Sequence, residues 1–370
     1  MLFVTRWFGV TASDADRSPA REKIAIEEII KNSLLMQSNA AAKQKRALSR
    51  GTHAKGVSVR AQFEVFNVAA GREPAMAARL AKGMFARPGV YPATVRFGNA
   101  DPNKNSDFKP DVRSLSFSVD LTRGGTIVPD VGTGRQDFSM QNTKTLPIND
   151  AASFVAISRV LTASSPGVSL WALPFKHKLR LFRTLTLVQF QLHQKIKPYQ
   201  QLRYESNVPF RHGQVDVVKQ SLTPSPDNPA NPLQRSNPNG LQDELIRHVQ
   251  EDSRMSSFDF GVQLLDVEKM TYWGKRRDAN FWIENASIKW HEEEAPFHTI
   301  GRLTFVPKSH LQPDADAANY IDVTGNSTAD STPVGSINRA RWPAEVASRR
   351  ARMQAVSGQE PGQPPYVRSA

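Results

Sequence analysis

The stretch Arg50-Gly-Thr-His-Ala-Lys-Gly-Val-Ser-Val-Arg-Ala-Gln-Phe-Glu-Val65 carries the strongest structural signal in this sequence. From Val57 to Val65, apolar and polar residues alternate with a period of two. This alternation is typical of a β-strand that buries one face and exposes the other. His53 and Lys55 directly precede the strand, so titratable groups stand where it begins. The stretch therefore predicts a half-buried strand with candidate functional residues at its start.

Outward from this strand, the sequence indicates a mixture of helices and strands. Glu22 to Ala47 has apolar residues near helical spacing, which predicts an amphipathic helix. Further helices are expected at Ala75–Phe85, Ala151–Ala163, Leu170–Gln194, Leu241–Ser253 and Arg339–Ala355, and further strands at Ala93–Phe97, Leu115–Leu121, Phe258–Leu265 and Gly301–Val306. Strands dominate the first half, and helices are inserted between and after them. The expected class is α+β.

Three parts are predicted along the chain. Residues 1–48 form an N-terminal helical arm, residues 49–355 form the core, and residues 356–370 form a disordered tail. A Pro- and Asn-rich segment, Pro224–Asn239, interrupts the core and indicates a surface linker.

Composition narrows the function classes. The 370 residues carry a formal net charge of +13, which favours an anionic partner such as nucleic acid, an acidic lipid surface or an anionic cofactor. No base-reading motif is present, so no specific nucleic-acid partner is expected. Cysteine is absent, which excludes disulfides and thiolate ligands. No apolar run approaches the roughly 18 residues of a membrane helix. Arg6 and Trp7 interrupt the N-terminal apolar run, which argues against a signal peptide. A cytoplasmic location is therefore expected.

Five segments in chain order resemble the haem catalases and their small catalase-related branch, which includes allene oxide synthases. The matching segments are Arg50–Val65, Pro92–Phe97, Asp111–Phe117, Gln136–Asn142 and Pro333–Arg341. The first resembles the family's R-x-x-H-A-K-G stretch running into F-E-V, and the second resembles its P-x-x-V-R-F strand. The resemblance implies an antiparallel β-barrel with flanking helices, a bound b-type haem and a small-molecule peroxide substrate. It also implies a possible homo-oligomer.

The resemblance assigns distal roles to three residues. His53 would transfer protons, because an imidazole with a pKa of about 6.5 accepts and returns a proton near neutral pH. Asn142 would hydrogen-bond the peroxide, although an ungapped comparison with large catalases places Gln141 there instead. Thr52 stands where allene oxide synthases carry threonine, which would favour organic hydroperoxides. The alternatives are a hydrogen-bonded core histidine, a turn amide and a strand threonine.

Arginines at matching offsets would bind the two haem propionates. Arg50, Arg96 and Arg352 stand at these positions, and guanidinium binds carboxylates through paired hydrogen bonds. Phe154 would pack on the porphyrin, or it belongs to the helix core. These arginines are the main sequence evidence for haem.

The sequence departs from the family at the axial iron ligand. The family has a tyrosine four residues after the position of Arg341, whereas this chain has Glu345. A carboxylate is an anionic donor that can bind ferric iron, but the pair can equally form an i,i+4 ion pair. Tyr320 and Tyr366 are not at matching positions. Two functions therefore stay open: a haem enzyme reacting with hydrogen peroxide or an organic hydroperoxide, and a repurposed ligand-binding protein without normal haem ligation.

Overall fold

A computed structural model describes residues 19–122, 134–162, 175–250, 255–311 and 320–357. The strands are β1 (Gly56–Val65), β2 (Gly89–Asn99), β3 (Arg113–Asp120), β4 (Arg135–Gln141), β5 (Tyr204–Glu205), β6 (Phe210–His212), β7 (Asp216–Pro224), β8 (Ser257–Leu264), β9 (Thr271–Tyr272), β10 (Lys275–Arg276) and β11 (Phe297–Leu311). The α-helices are α1 (Pro19–Lys43), α2 (Pro74–Leu80), α3 (Ala151–Thr162), α4 (Phe175–Leu192), α5 (Gly240–Gln250), α6 (Ala279–Glu284) and α7 (Ser336–Ser357).

Eight strands close into an antiparallel barrel. Their order is β5-β4-β3-β2-β1-β11-β8-β7, and β5 also pairs with β7, which completes the ring. The short strand β6 extends the sheet beyond β7. The strand predicted from Val57 to Val65, β1, pairs with β2 along its whole length, so that Val59 lies opposite Val95 and Phe63 opposite Tyr91. The expected α+β class, an antiparallel β-barrel with flanking helices, is confirmed.

The barrel interior is filled with aromatic rings. Phe63 is fully buried, and its ring centroid lies 5.5 Å from that of Phe117, 6.1 Å from that of Phe138 and 5.4 Å from that of Phe260. Successive side chains of a strand point to opposite faces, so the apolar half of each alternating strand reaches this core. The predicted burial of the apolar face of β1 is thus confirmed.

Three helices pack together beside strands β1 to β4. Helix α1 contacts α3 and α7 through a small apolar cluster that includes Ile29, Val155 and Ala340. Polar contacts reinforce this packing, because Asn32 Nδ2 donates to Ser158 Oγ at 3.0 Å. The N-terminal arm was predicted over residues 1–48, and its described part, from residue 19 onward, lies against the core.

A second apolar cluster covers the outer face of β7 and β8. Trp282 and Trp290 are its largest buried members. Beneath them lies the buried Lys219, whose Nζ donates to the Ile288 carbonyl at 3.1 Å and stands 5.1 Å from the Trp290 ring centroid. The neighbouring Gln263 donates to the carbonyl oxygens of this segment. The apolar cluster therefore shields the outer face of β7 and β8 from solvent.

Several predicted boundaries differ from the observed ones. Helix α1 ends at Lys43 instead of Ala47, and β11 is a 15-residue strand where the sequence predicts only Gly301–Val306. Strands β4 to β7, the hairpin β9–β10 and helix α6 were not predicted, since most of them are short. The start of the helix predicted at Leu170–Gln194 lies outside the described residues, as do the end of the helix predicted at Leu241–Ser253 and the tail from 358. Among the described helices, none is long and apolar enough to cross a membrane.

Candidate functional site

A cavity of about 350 Å³ lies between the outer face of β2 to β4 and helices α1, α3 and α7. Its size falls within the range of roughly 300–1,000 Å³ that is typical of small-molecule and cofactor sites. One wall is apolar, with Ile29 and Met36 from α1, Phe154 from α3 and Ile337 from α7. The opposing residues from the sheet are polar.

The sheet wall consists of small polar side chains in register. Ser114 of β3 pairs with Gln141 of β4, and Ser116 pairs with Ser139. All four line the cavity, while the intervening Leu115 belongs to the barrel core. The period of two therefore gives β3 and β4 one apolar face and one hydrogen-bonding face.

Two glycines make room for the buried Arg96. A Cβ atom on Gly56 would lie 2.5 Å from Arg96 Nη2 and still closer to the Phe97 carbonyl oxygen. A Cβ atom on Gly98 would lie 3.0 Å from Arg96 Nη1. The guanidinium occupies the volume that these missing side chains leave, so the sheet is shaped around it.

His53 enters the cavity from the turn before β1. Its φ of 54° is unusual for a residue other than glycine, and its backbone N–H donates to the Ala100 carbonyl at 3.2 Å. Burial, together with the positive charges of Arg96, Arg341 and Arg50, lowers the pKa of His53 to about 3. Its Nε2 atom is buried without a hydrogen-bond partner among the described residues. His53 is thus a neutral imidazole with an unused ring nitrogen.

Five guanidinium groups line the same cavity. They belong to Arg50, Arg96, Arg341, Arg349 and Arg352. Burial lowers the pKa of Arg352, and the charges of Arg349 and Arg96 act in the same direction, which shows that these groups are close enough to repel one another. The Nε atom of Arg352 is buried and has no hydrogen-bond partner in the described part of the chain. Such a concentration of positive charge favours an anionic ligand.

Helix α7 brings Arg341 and Glu345 to the cavity on successive turns. Arg341 Nε donates to Glu345 Oε1 at 2.6 Å, and the Glu345 side chain is 40% exposed. The helix continues through Pro343. Of the described residues that line the cavity, Glu345 is the only carboxylate. The i,i+4 ion pair that the sequence left open is therefore present.

Comparison with known proteins reveals a shared fold. No protein-family model and no curated protein matches the sequence. Among solved structures, catalase A from Saccharomyces cerevisiae matches with a TM-score of 0.60 and 15% identity, over 85% of this chain and 63% of that one. The fold is catalase-like.

Two further solved structures agree. A fungal catalase matches with a TM-score of 0.60 and 13% identity over 62% of its chain, and a bacterial catalase with a TM-score of 0.55 and 13% identity over 60% of its chain. Each match covers 85% of the present chain. This chain thus spans less than two thirds of the length of these catalases, and the likeness at such low identity shows the fold alone.

The cavity brings together eight of the nine predicted site residues. They are Arg50, Thr52, His53, Arg96, Phe154, Arg341, Glu345 and Arg352. Asn142 is the exception and does not line the cavity. Its Oδ1 accepts from the Arg113 N–H at 2.7 Å, and its Nδ2 donates to Gln194 Oε1 at 3.2 Å.

The structure places Gln141 against the cavity instead of Asn142. The two residues are consecutive at the end of β4, so only one of them can point to the cavity side of the sheet. Of the two amides that the sequence left open, Gln141 lines the cavity and Asn142 does not. The ungapped alternative with Gln141 agrees with the strand register.

Sequence reasoning missed Tyr320 and Arg349 as cavity residues. The centre of the Arg349 guanidinium lies 4.2 Å from the centroid of the Tyr320 ring. Arg349 follows Glu345 by one helical turn, which was a usable signal. Tyr320 precedes α7 by a polar segment without periodicity, so no sequence pattern points to it.

The chemistry of the cavity suits a flat, doubly anionic cofactor such as haem in three respects. Its guanidinium groups match carboxylates, its apolar wall matches a ring system, and it is lined by His53, whose buried Nε2 has no hydrogen-bond partner among the described residues. Among the described residues, no group of three or more His, Asp or Glu forms a candidate metal site.

Proposed function

We propose that this chain binds haem in the cavity and reacts with a hydroperoxide. The observation that carries the proposal is the buried, unpartnered Nε2 of the neutral His53 in a cavity lined by five arginines. A neutral imidazole whose ring nitrogen has no hydrogen-bond partner can accept a proton from a ligand that binds beside it. The catalase-like fold supports the assignment without establishing the activity.

In this proposal the arginines hold the cofactor carboxylates. Arg96 is fixed by the space above Gly56 and Gly98, so its guanidinium is preorganised for an anion. Arg50 and Arg352 complete the anion site, and the unpartnered Nε of Arg352 is available to a carboxylate oxygen. A carboxylate also removes the mutual repulsion of the guanidinium groups. Phe154 packs on the ring system.

His53 and Gln141 handle the peroxide. Bound haem supplies the redox chemistry that cleaves an oxygen–oxygen bond. His53 Nε2 takes a proton from one peroxide oxygen and returns it to the other. The Gln141 amide orients the substrate, and the serine wall offers further hydrogen bonds to a small polar molecule. Thr52 lies beside His53, which keeps organic hydroperoxides among the proposed substrates together with hydrogen peroxide.

The test is haem reconstitution followed by peroxide kinetics. A Soret band is expected for the wild-type protein, and His53→Gln should keep the band while turnover falls by about 10²–10⁴-fold. His291→Gln, at an exposed histidine that does not line the cavity, is the matched control and should leave turnover unchanged.

The pH profile provides a second check on the same proteins. The carboxylates of a bound cofactor would offset part of the arginine charge that helps to lower the pKa of His53 to about 3, while burial of the imidazole remains, so the acid limb of turnover should lie below pH 6.5. A purified protein that shows no Soret band after reconstitution contradicts the proposal outright.

A second candidate function is a haem-free binding protein for another flat anion on the same scaffold. The ion pair between Arg341 and Glu345 favours it, because the carboxylate that would have to bind iron already accepts a hydrogen bond from Arg341. Thermal stabilisation by iron-free protoporphyrin equal to that by haem, without peroxide turnover, would support this candidate. Preferential stabilisation by haem together with turnover would eliminate it.

A further inference from the structure

Helix α4 presents large apolar side chains to solvent. Phe182 and Phe190 are each 51% exposed, and Leu185 is 45% exposed. Because residues three and eight positions apart lie on the same side of a helix, Phe182 groups with Leu185 and Phe190. The buried Leu181 and Thr184 mark the opposite side, which packs on the rest of the protein. The apolar stripe of α4 therefore faces outward.

The same helix is strongly basic. Its 18 residues contain no Asp or Glu and four cationic residues, which are Lys176, Lys178, Arg180 and Arg183. Positive charge near the N-terminus of a helix is unfavourable for the helix itself, so helix stability does not account for this distribution. An apolar face combined with Lys and Arg is typical of helices that lie in the surface of an anionic membrane.

Arg183 fixes α4 beside the second apolar cluster. Its Nη1 donates to Ser287 Oγ at 2.6 Å, and its Nη2 donates to the Ser287 carbonyl at 3.4 Å. The next residue, Ile288, belongs to that cluster, and Tyr272 of β9 packs against it. Burial lowers the pKa of Arg183, and Tyr272 is near enough to act on that pKa in the opposite direction. Helix α4 and the hairpin β9–β10 thus lie on the same side of the molecule.

The hairpin β9–β10 presents a tryptophan at its tip. Tyr272 pairs with Lys275, so Trp273 and Gly274 form the two-residue turn, with φ angles of 58° and 73°. Such a turn needs positive φ at both positions and favours Asn-Gly, whereas a bulky side chain is rare there. Trp273 stacks on the Tyr272 ring with centroids 5.5 Å apart, yet it is 53% exposed. Turn stability therefore does not account for a tryptophan at this position.

We propose that α4 and the tip of the hairpin β9–β10 form a docking surface for a bilayer that contains anionic phospholipids. The apolar side chains enter the boundary between headgroups and acyl chains, where tryptophan is also enriched, and the basic residues of α4 attract the headgroup phosphates. The inserting side chains are Phe182, Leu185, Phe190 and Trp273, and none of them lines the cavity. The proposal is therefore independent of haem binding.

The charges favour a lipid surface over a second copy of the chain. A symmetric dimer through this surface would bring two basic helices together, and like charges across an interface are unfavourable. Arg276 already pairs with Glu268 at 2.9 Å, so the hairpin contributes mainly through Trp273, and α4 supplies most of the positive charge. The formal net charge of +13 adds a long-range attraction to anionic lipid.

Vesicle sedimentation of the purified full chain tests the proposal. The vesicles consist of phosphatidylcholine alone or of phosphatidylcholine with one third phosphatidylglycerol. Wild type should bind the anionic vesicles, and Phe182→Ser combined with Phe190→Ser should weaken this binding by at least about tenfold. Lys178→Gln should weaken it by about fivefold. The matched control is Val90→Ser combined with Met353→Ser, which changes two exposed apolar residues on β2 and α7 and should bind like wild type.

Trp273→Asn separates docking from folding. It introduces the residue that the turn favours, so the thermal unfolding temperature should stay the same or rise. Binding to anionic vesicles should nevertheless weaken, and the blue shift of tryptophan fluorescence on binding should become smaller. A lower unfolding temperature with unchanged vesicle binding would instead give Trp273 a structural role and remove it from the docking surface.

The other outcomes contradict the proposal and identify the occupant. Equal binding to neutral and anionic vesicles, or binding that the paired Phe182 and Phe190 substitutions leave intact, rules out this surface as an anionic-lipid site. Oligomers that dissociate in the same double variant, without vesicle binding in wild type, assign the surface to a second copy of the chain. Salt-sensitive binding of DNA in place of vesicles assigns the basic residues to nucleic acid. Far-ultraviolet circular dichroism checks that each variant is folded.

Discussion

Strands β1 to β4 have an apolar inner face and a polar outer face, and consecutive residues of each strand belong to the two faces in turn. The inner face carries Phe63, Phe117 and Phe138, whose rings contact one another in the barrel core. The outer face carries Arg96 and a set of serines that line the cavity. The comparison shows that one period-two pattern encodes both the stability of the barrel and the chemistry of the site.

The two faces should respond differently to substitution, and the largest effect is expected inside. Phe117 is fully buried and stacks on Phe138 with centroids 4.5 Å apart, so Phe117→Ala should lower the free energy of unfolding by about 3–5 kcal/mol. The adjacent outward Ser116→Ala should change it by less than about 1 kcal/mol, since it removes one Ser116–Ser139 hydrogen bond. Urea unfolding of both variants measures the contrast. An equal loss of unfolding free energy in the two variants would contradict the view that the inner face supplies most of the stability.

The outer face on the far side of the barrel gives a pH-dependent contrast. Burial lowers the pKa of Lys219 from 10.5 to about 7, so between these values the unfolded chain binds more protons than the folded one. Stability should therefore rise with pH across this window, by roughly 1.4 kcal/mol per unit at most. Lys219→Met should flatten that rise, whereas Lys275→Met, at an exposed lysine, should preserve it. Denaturant unfolding at pH 7, 8 and 9 is the measurement, and a rise unchanged in Lys219→Met contradicts the prediction.

A smaller effect is expected where the outer face is shaped around Arg96. In Gly56→Ala, the new Cβ would press on Arg96 Nη2 and the Phe97 carbonyl, which should cost about 1–3 kcal/mol of stability. It should also weaken haem binding, because Arg96 must move. Gly51→Ala, whose Cβ would meet Ser348 Oγ at 3.3 Å, is the comparison and should have the milder effect. Haem titration and thermal unfolding report the two effects, and unchanged haem affinity in Gly56→Ala would mean that Arg96 does not bind the cofactor.

The sequence predicts which face of the strands carries the candidate site, but it does not predict every residue on that face. The alternation of β1 was readable because ten residues keep one pattern, and the arginines were found through the resemblance. The choice between Gln141 and Asn142 stayed open in the sequence because neighbouring positions differ only in the face of the strand that they occupy, and that face is fixed by the pairing of β4 with β3.

Long-range features escaped prediction for a different reason. Lys219 is buried by a cluster from residues 281–295, and nothing near it in sequence indicates this burial. Tyr320 reaches the cavity from a segment whose local composition indicates only a connection. In both cases the environment is created by chain segments that meet only in the folded protein.

Helix α1 closes the cavity with Ile29, Ser33 and Met36, although it precedes the barrel in sequence and reaches it mainly by packing on α3 and α7. A cofactor in the cavity would therefore contact the packed helices on one side and the sheet on the other, and would link the two layers. Its residence time would depend on how often α1 lifts away, because helix docking opens more readily than a closed ring of hydrogen-bonded strands. Ligand loss would then be coupled to detachment of α1, and the hydrogen-bonded barrel would not need to open.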